Sequence, residues 1–383
     1  MCTYPGPSKG IPLVRAITLS VEDDGQSWFG KIDYAGTTRV LCIKNLSGAG
    51  SVPTVADGLA FAVLPLALRA RCDLQVNAPL SRSALRNLRE LAEAWNSWSP
   101  QSLYASKIRC DAVIDEPRQL SERIAVAWSG DLRSTFALAG GEPSVAQAHY
   151  HIASGVYVTG LGEPTAALDS QIKGIAEQFA AAGKDLTVVE TNASTIGLID
   201  PGIGVLPLVS AALHLVSFKR FGVALHGVSE PVRAQGIRPR RIPSLADFYS
   251  GDSLRIAAVG GTSSAPGMVR HLAKDRFYSS FLSQCRTNGF SERRCHACYE
   301  CELLDLGLSG AGLATPPSAF GKFPLASANH LAEAALALTD WQGSPWRRFG
   351  LAARLTAQEV ARASRERTLW RKALRGEEEP WPR

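Results

Sequence analysis

Four of the eight cysteines lie close together in the pattern Cys285-x9-Cys295-x2-Cys298-x2-Cys301. Tetrahedral zinc needs four soft ligands on short loops. Two overlapping C-x2-C knuckles bring three thiolates within reach, and a preceding segment delivers the fourth. His296 and His330 could replace a cysteine, but the four sulfurs suffice. No position is left for water, so the expected metal is structural. The other cysteines, Cys2, Cys42, Cys72 and Cys110, are scattered. One metal site in a reduced, cytoplasmic protein explains this distribution better than a disulfide scaffold.

A second group with chemical potential is the turn Ser129-Gly130-Asp131-Leu132-Arg133-Ser134-Thr135. It follows a short apolar strand at 124–128 and precedes a helix through Phe136 and Leu138. Amides at a helix N-terminus, joined by the hydroxyls of Ser129, Ser134 and Thr135, form a natural phosphate cradle. A purely structural Ser-Gly turn is the competing reading.

The elements that would position these groups follow from periodicity. Residues 14–45 contain three stretches rich in β-branched and aromatic residues, split at Asp24-Gly25 and Ala35-Gly36, as in an antiparallel meander. An apolar run follows at 55–71, and 81–98 has helical spacing through Leu85, Leu88, Leu91 and Trp95. Together they predict an α+β N-terminal domain over 1–115, with a linker carrying Glu116-Pro117. The pattern then alternates: strands at 124–128, 156–159, 186–190, 222–225 and 254–259, and helices at 165–182 and 206–218. Such alternation predicts parallel βαβ units, hence an α/β domain over 121–275 with a doubly wound, five-stranded parallel sheet. Ligands of such sheets bind beyond the carboxyl ends of the strands. A zinc-stapled helical region is expected over 276–383, ending in an Arg-rich helix at 357–375 that reads as a solvated face.

Taken together, the two chemical groups carry a resemblance. Residues 124–135 resemble the pyrophosphate loop, Ser-Gly-Gly-x-Asp-Ser, of the PP-loop ATP pyrophosphatases, which share the HUP-type sheet. Residues 284–301 look like the zinc motif that ends 7-cyano-7-deazaguanine synthase. The resemblance covers roughly residues 123–308, and 59–98 resemble the N-terminal extension of a divergent branch of that family. It implies ATP bound over the sheet edge, adenylation of a carboxylate or amide, release of AMP and pyrophosphate, and attack by a nitrogen nucleophile. By match of position, Ser129, Gly130, Ser134 and Thr135 would hold phosphate. Thr159, Gly160, Thr191 and Asn192 would line the adenosine pocket, and His226, at the end of the fourth strand, is a further pocket residue.

The loop departs from the family pattern at two positions. Asp131 stands where the family has its second glycine, and Arg133 where it has an aspartate. A carboxylate beside an anion cradle repels phosphate unless a cation intervenes. Asp131 could hold Mg²⁺, or Arg133 could clamp phosphate bidentately. A loop that has lost catalysis and kept nucleotide or partner binding is the alternative. The family's substrate motif is also absent. Arg238-Pro-Arg-Arg241 occupies that region, so a deazapurine and a peptide-linked carboxylate both remain open as substrates.

Composition excludes several classes. With 45% hydrophobic and 20% charged residues among 383, the chain can bury a large core and is neither disordered nor fibrous. Its 41 basic and 35 acidic residues give +6, short of a nucleic-acid footprint. Residues 1–20 have no signal-peptide core, and the greasiest run, 203–218, is too short to span a bilayer and contains His214. The partners expected are ATP and a small-molecule or peptide carboxylate. A homodimer and a partner protein from the same gene cluster are left open.

Overall fold

The computed structural model describes residues 16–47, 52–98, 100–101, 103–115, 123–141, 151–161, 168–200, 203–227, 245–260 and 263–283, with Cys301, Leu304 and Leu308. Two compact units divide the chain. The larger takes Met1–Ser129, Glu142–Val228 and Arg240–Val259, and the smaller takes Gly130–Gly141, Ser229–Pro239 and Gly260–Arg383.

The larger unit opens with the meander β1 (Ala16–Asp23), β2 (Ser27–Tyr34) and β3 (Thr37–Asn45). Its turns follow from the residues that make them. Asp24 Oδ1 accepts from the amides of Gln26 at 3.0 Å and Ser27 at 2.6 Å, and these bonds hold its carboxyl below the usual range. Ala35 and Gly36 both have positive φ, 49° and 76°, which matches the twist of a two-residue hairpin. Next come helix α1 (Asp57–Ala70), β4 (Asp73–Ser81), helix α2 (Arg82–Trp98) and β5 (Ile108–Ile114).

The alternating part follows. It comprises β6 (Arg123–Ala127), β7 (His151–Thr159), helix α4 (Leu168–Ala181), β8 (Asp185–Thr191), helix α5 (Leu206–Ser217), β9 (Val223–Gly227) and β10 (Arg255–Val259). A short helix in the smaller unit, α3 (Leu132–Leu138), lies between β6 and β7 in sequence.

The α/β class holds, but the five-stranded sheet is corrected to a mixed sheet of ten strands in the order β10-β9-β6-β7-β8-β3-β2-β1-β4-β5. Its first five strands are parallel and run 5-4-1-2-3 in their own sequence order, which is the doubly wound arrangement. The meander continues this sheet through antiparallel pairing of β3 with β8 at Ile43–Thr191, Lys44–Glu190 and Asn45–Val189. β4 adds beside β1 and β5 beside β4, both parallel.

The parallel strands are greasy because both faces are covered. On β6, Ala125 and Ala127 join the main core with α5, while Ile124 and Val126 alternate to the other face. Trp128 meets the Phe179 ring of α4 edge-on at 5.0 Å. Helices α1 and α5 pack closely at Gly58, where a Cβ would stand 2.9 Å from the Ala211 Cα and the His214 Cβ.

Polar contacts tie the two ends of the strand order together. The Ser83 amide at the start of α2 donates to Asp252 Oδ1 at 3.0 Å. Asn87 Nδ2 donates to the Ser250 carbonyl at 2.9 Å, just before β10. Helices α1, α2 and α5 share one core.

In the smaller unit, α3 packs Leu132 and Phe136 against Met268, Val269 and Leu272 of helix α6 (Ala265–Leu272). A short helix, α7 (Arg276–Ser280), follows. No helix among the described residues is long and apolar enough to cross a membrane.

Candidate functional site

In a doubly wound sheet, the crevice for a ligand opens where successive crossovers leave one strand toward opposite sides. Here that point lies between β6 and β9, at their carboxyl ends. In the larger unit it carries Ser129, the second residue past β6, and His226 on β9. His226 is in register with Ala127 on one side and Ala258 on the other, both small residues.

Thr159, Gly160, Thr191 and Asn192 all lie at the carboxyl ends of β7 and β8, and the structure gives them internal partners. Thr159 Oγ1 donates to the Val189 carbonyl at 3.4 Å, and Thr191 Oγ1 accepts from the Ala193 amide at 3.3 Å. Asn192 is turned toward β3, accepting from the Cys42 amide and donating to the Val40 carbonyl, both at 2.8 Å. Gly160 has φ +78°, and any Cβ there would overlap the Thr191 carbonyl oxygen. The glycine thus allows the ends of β7 and β8 to converge, and the neighbouring polar side chains hold that convergence in place.

In the smaller unit, Gly130 has φ +79° and leads into Asp131, which is the N-cap of α3. Asp131 Oδ1 accepts from the Ser134 amide at 2.7 Å, and the Asp131 carbonyl accepts from the Thr135 amide at 3.0 Å. Asp131 therefore does for α3 what aspartates do at helix starts, satisfying an otherwise orphaned amide. Arg133, Ser134 and Thr135 are buried. The other end of α3 is closed by side chains as well: the Tyr278 hydroxyl donates to the Leu138 carbonyl at 3.1 Å, and His271 Nε2 to the Ala139 carbonyl at 3.4 Å.

Cys285, Cys295 and Cys298 lie outside the described residues, as do Arg238, Arg240 and Arg241. Cys301 is buried and belongs to the smaller unit, with Leu304 and Leu308 at helical spacing in that unit's core. No group of three or more metal-ligating side chains occurs among the described residues.

One polar cluster is foreshadowed in the sequence reading only by His214, whose place on the apolar face of a helix reads as a hydrogen-bonded core histidine, as the structure has it. Asp57, fully buried at the start of α1, accepts from the Ser81 amide at 2.8 Å and from Ser81 Oγ at 2.6 Å. Ser81 Oγ accepts in turn from the amides of Ala84 and Asp252, both at 3.2 Å. His214 of α5 donates from Nε2 to the Tyr249 carbonyl at 2.9 Å, and burial pushes its pKa down to about 4. The sequence signal was an aspartate and a glycine, Asp57-Gly58, opening an otherwise apolar run.

A cleft of about 600 Å³ lies beside this cluster, before the amino end of β10. It is bordered by Ser83, Arg86 and Asn87 of α2 and by Asp247, Phe248 and Arg255. No family model matches the chain, and no curated protein or solved structure matches it either.

Proposed function

We propose that the chain binds ATP at the carboxyl edge of its parallel strands, around Ser129 and His226, and uses it to activate a carboxylate or amide by adenylation. A nitrogen nucleophile would then displace AMP, and pyrophosphate would leave separately. The observation that carries this reading is the 5-4-1-2-3 order of the five parallel strands, which sets their switch point beside Ser129 and His226. The resemblance of residues 124–135 and 284–301 supplies the reaction class. In this reading Ser129, Gly130, Ser134 and Thr135 hold phosphate, and Arg133 would clamp it bidentately. Zinc on Cys285, Cys295, Cys298 and Cys301 would staple the C-terminal region and take no part in the chemistry.

One observation favours a second reading, in which nucleotide or a partner is bound without turnover. The Asp131 carboxylate occupies the Ser134 amide that a phosphate would use. The two readings separate in one experiment. The purified protein is titrated with ATP calorimetrically, and AMP and pyrophosphate release is then followed with ammonia and a panel of carboxylates. Binding with release supports the enzyme, binding without release supports nucleotide binding without turnover, and no binding removes the enzyme and leaves a partner as the only occupant of the second reading.

A further inference from the structure

The cleft of about 600 Å³ before the amino end of β10 lies wholly within the larger unit. It is at the opposite end of β10 from the carboxyl edge where the nucleotide is proposed to bind. Its volume is that of a small-molecule site. One wall is the start of α2, with Arg86 and Asn87, and the other is the segment from Asp247 to Asp252, with Arg255 beside it.

Asn87 is the polar group built most deeply into this cleft. It is 7% exposed, and its Nδ2 donates to the Ser250 carbonyl at 2.9 Å, which fixes the orientation of the amide. Its Oδ1 has no partner among the described residues and is not sealed in by protein, so it opens on the cleft that Asn87 lines. An acceptor in such a place calls for a hydrogen-bond donor. Asp247 is one short turn away: its carbonyl accepts from the Ser250 amide at 3.3 Å, so Ser250 holds Asp247 and Asn87 together.

The charges lining the cleft balance, Arg86 and Arg255 against Asp247 and Asp252, and no ion pair joins either arginine to either aspartate. Arg82 nearby is taken up by Asp115 at 2.6 Å, and Asp252 Oδ1 accepts from the Ser83 amide. Arg86 has only a loose pair with Glu90 at 4.0 Å, and Arg255 and Asp247 have no ion pair among the described residues. A simple anion in this cleft would meet the two aspartates, and a simple cation the two arginines. A ligand that carries both signs meets each charge with its opposite. We infer that the cleft binds a zwitterion of amino-acid or short-peptide type. Its ammonium lies on Asn87 Oδ1 and Asp247, its carboxylate on Arg86 and Arg255, and an apolar side chain against half-buried Phe248. This inference is independent of the nucleotide reading.

The test uses the full-length protein and calorimetric titration with phenylalanine and the dipeptide phenylalanyl-leucine, each also in its N-acetylated and its C-amidated form. At least one zwitterion should bind, with both of its capped forms about tenfold weaker or more, the loss expected for one charge-assisted contact. Asp247→Asn should narrow the gap between the free and acetylated forms, and Arg255→Gln the gap between the free and amidated forms. Neither should move the unfolding midpoint, because both side chains are exposed. Either order of the two zwitterions supports the inference, a tighter phenylalanine naming a free amino acid as the source and a tighter dipeptide a peptide. No binding of either zwitterion at about 10 mM, capped forms that bind as well as the free ones, or a gap unchanged in either variant would each overturn it.

Discussion

Gly251 lies directly over the buried carboxylate of Asp57, so that a Cβ on residue 251 would overlap Asp57 Oδ2 and stand 3.2 Å from Ser81 Oγ and 3.3 Å from His214 Cε1. The backbone before β10 thus closes the polar cluster formed by α1, the end of β4 and α5. Gly251→Ala should destabilise the protein by about 1–3 kcal/mol, the usual penalty for a methyl group forced into a filled site. Gly174→Ala is the control. Gly174 sits within α4, where a Cβ meets nothing within 4 Å, so alanine should stabilise by up to about 1 kcal/mol. Opposite signs in urea unfolding would tie the effect to the space above Asp57. A Gly251→Ala protein as stable as the parent would refute the overlap.

The Asp57 bonds to Ser81 carry a second prediction. Asp57→Ala takes the buried acceptor away from the Ser81 amide and hydroxyl, so a loss of about 3 kcal/mol is expected. Ser81→Ala, which keeps its own amide donating to Asp57, should cost less. The ranking matters more than either magnitude, and chemical denaturation of the two variants measures it.

His214 makes stability depend on acid. Its pKa is about 4 in the folded protein against 6.5 when free, so between those values the unfolded chain binds the extra proton. Stability should therefore be complete above about pH 6.5, fall as pH drops toward 4, and level off below. The gap corresponds to about 3 kcal/mol in all. His214→Gln keeps an N–H that can donate to the Tyr249 carbonyl but does not titrate. Unfolding free energies measured from pH 7 to pH 4 should fall less steeply in this variant, and parallel curves for the two proteins would contradict the assignment.

The parts of the fold legible in the sequence were those set by local chemistry. Asp24-Gly25 and Ala35-Gly36 mark their turns because an Asx bond and paired positive φ values are properties of those residues themselves. The five parallel strands were legible because burial on both faces leaves continuous apolar runs such as 124–128. β4 and β5 were not: Asp73–Ser81 includes Asn77 and Pro79, and Ile108–Ile114 includes Arg109 and Asp111, so neither shows a clean alternation. The joining of β3 to β8 could not be read either, since three residue pairs far apart in sequence decide it. At the candidate site, sequence placed Asn192 correctly at a strand end, but it could not show that its amide is already engaged with Cys42 and Val40. Asp131 has two chemistries, cap and metal ligand, that look alike until the Ser134 amide is seen to point at it.

That ambiguity at Asp131 gives the last prediction. Serine is as good an N-cap as aspartate but carries no charge, so Asp131→Ser should leave stability within about 0.5 kcal/mol, whereas Asp131→Ala should lose about 1 kcal/mol. If ATP phosphates seat at this loop, removing the carboxylate while keeping the cap relieves a repulsion, and Asp131→Ser should bind ATP more tightly than the parent. If Asp131 instead holds Mg²⁺ for the phosphates, the same variant should bind Mg²⁺-ATP more weakly and lose its dependence on the cation. Titrating parent and Asp131→Ser with ATP, with and without Mg²⁺, separates the two. Identical affinities in all four titrations would mean that the phosphates of a nucleotide do not reach this loop, and the adenylating reaction would have to be given up.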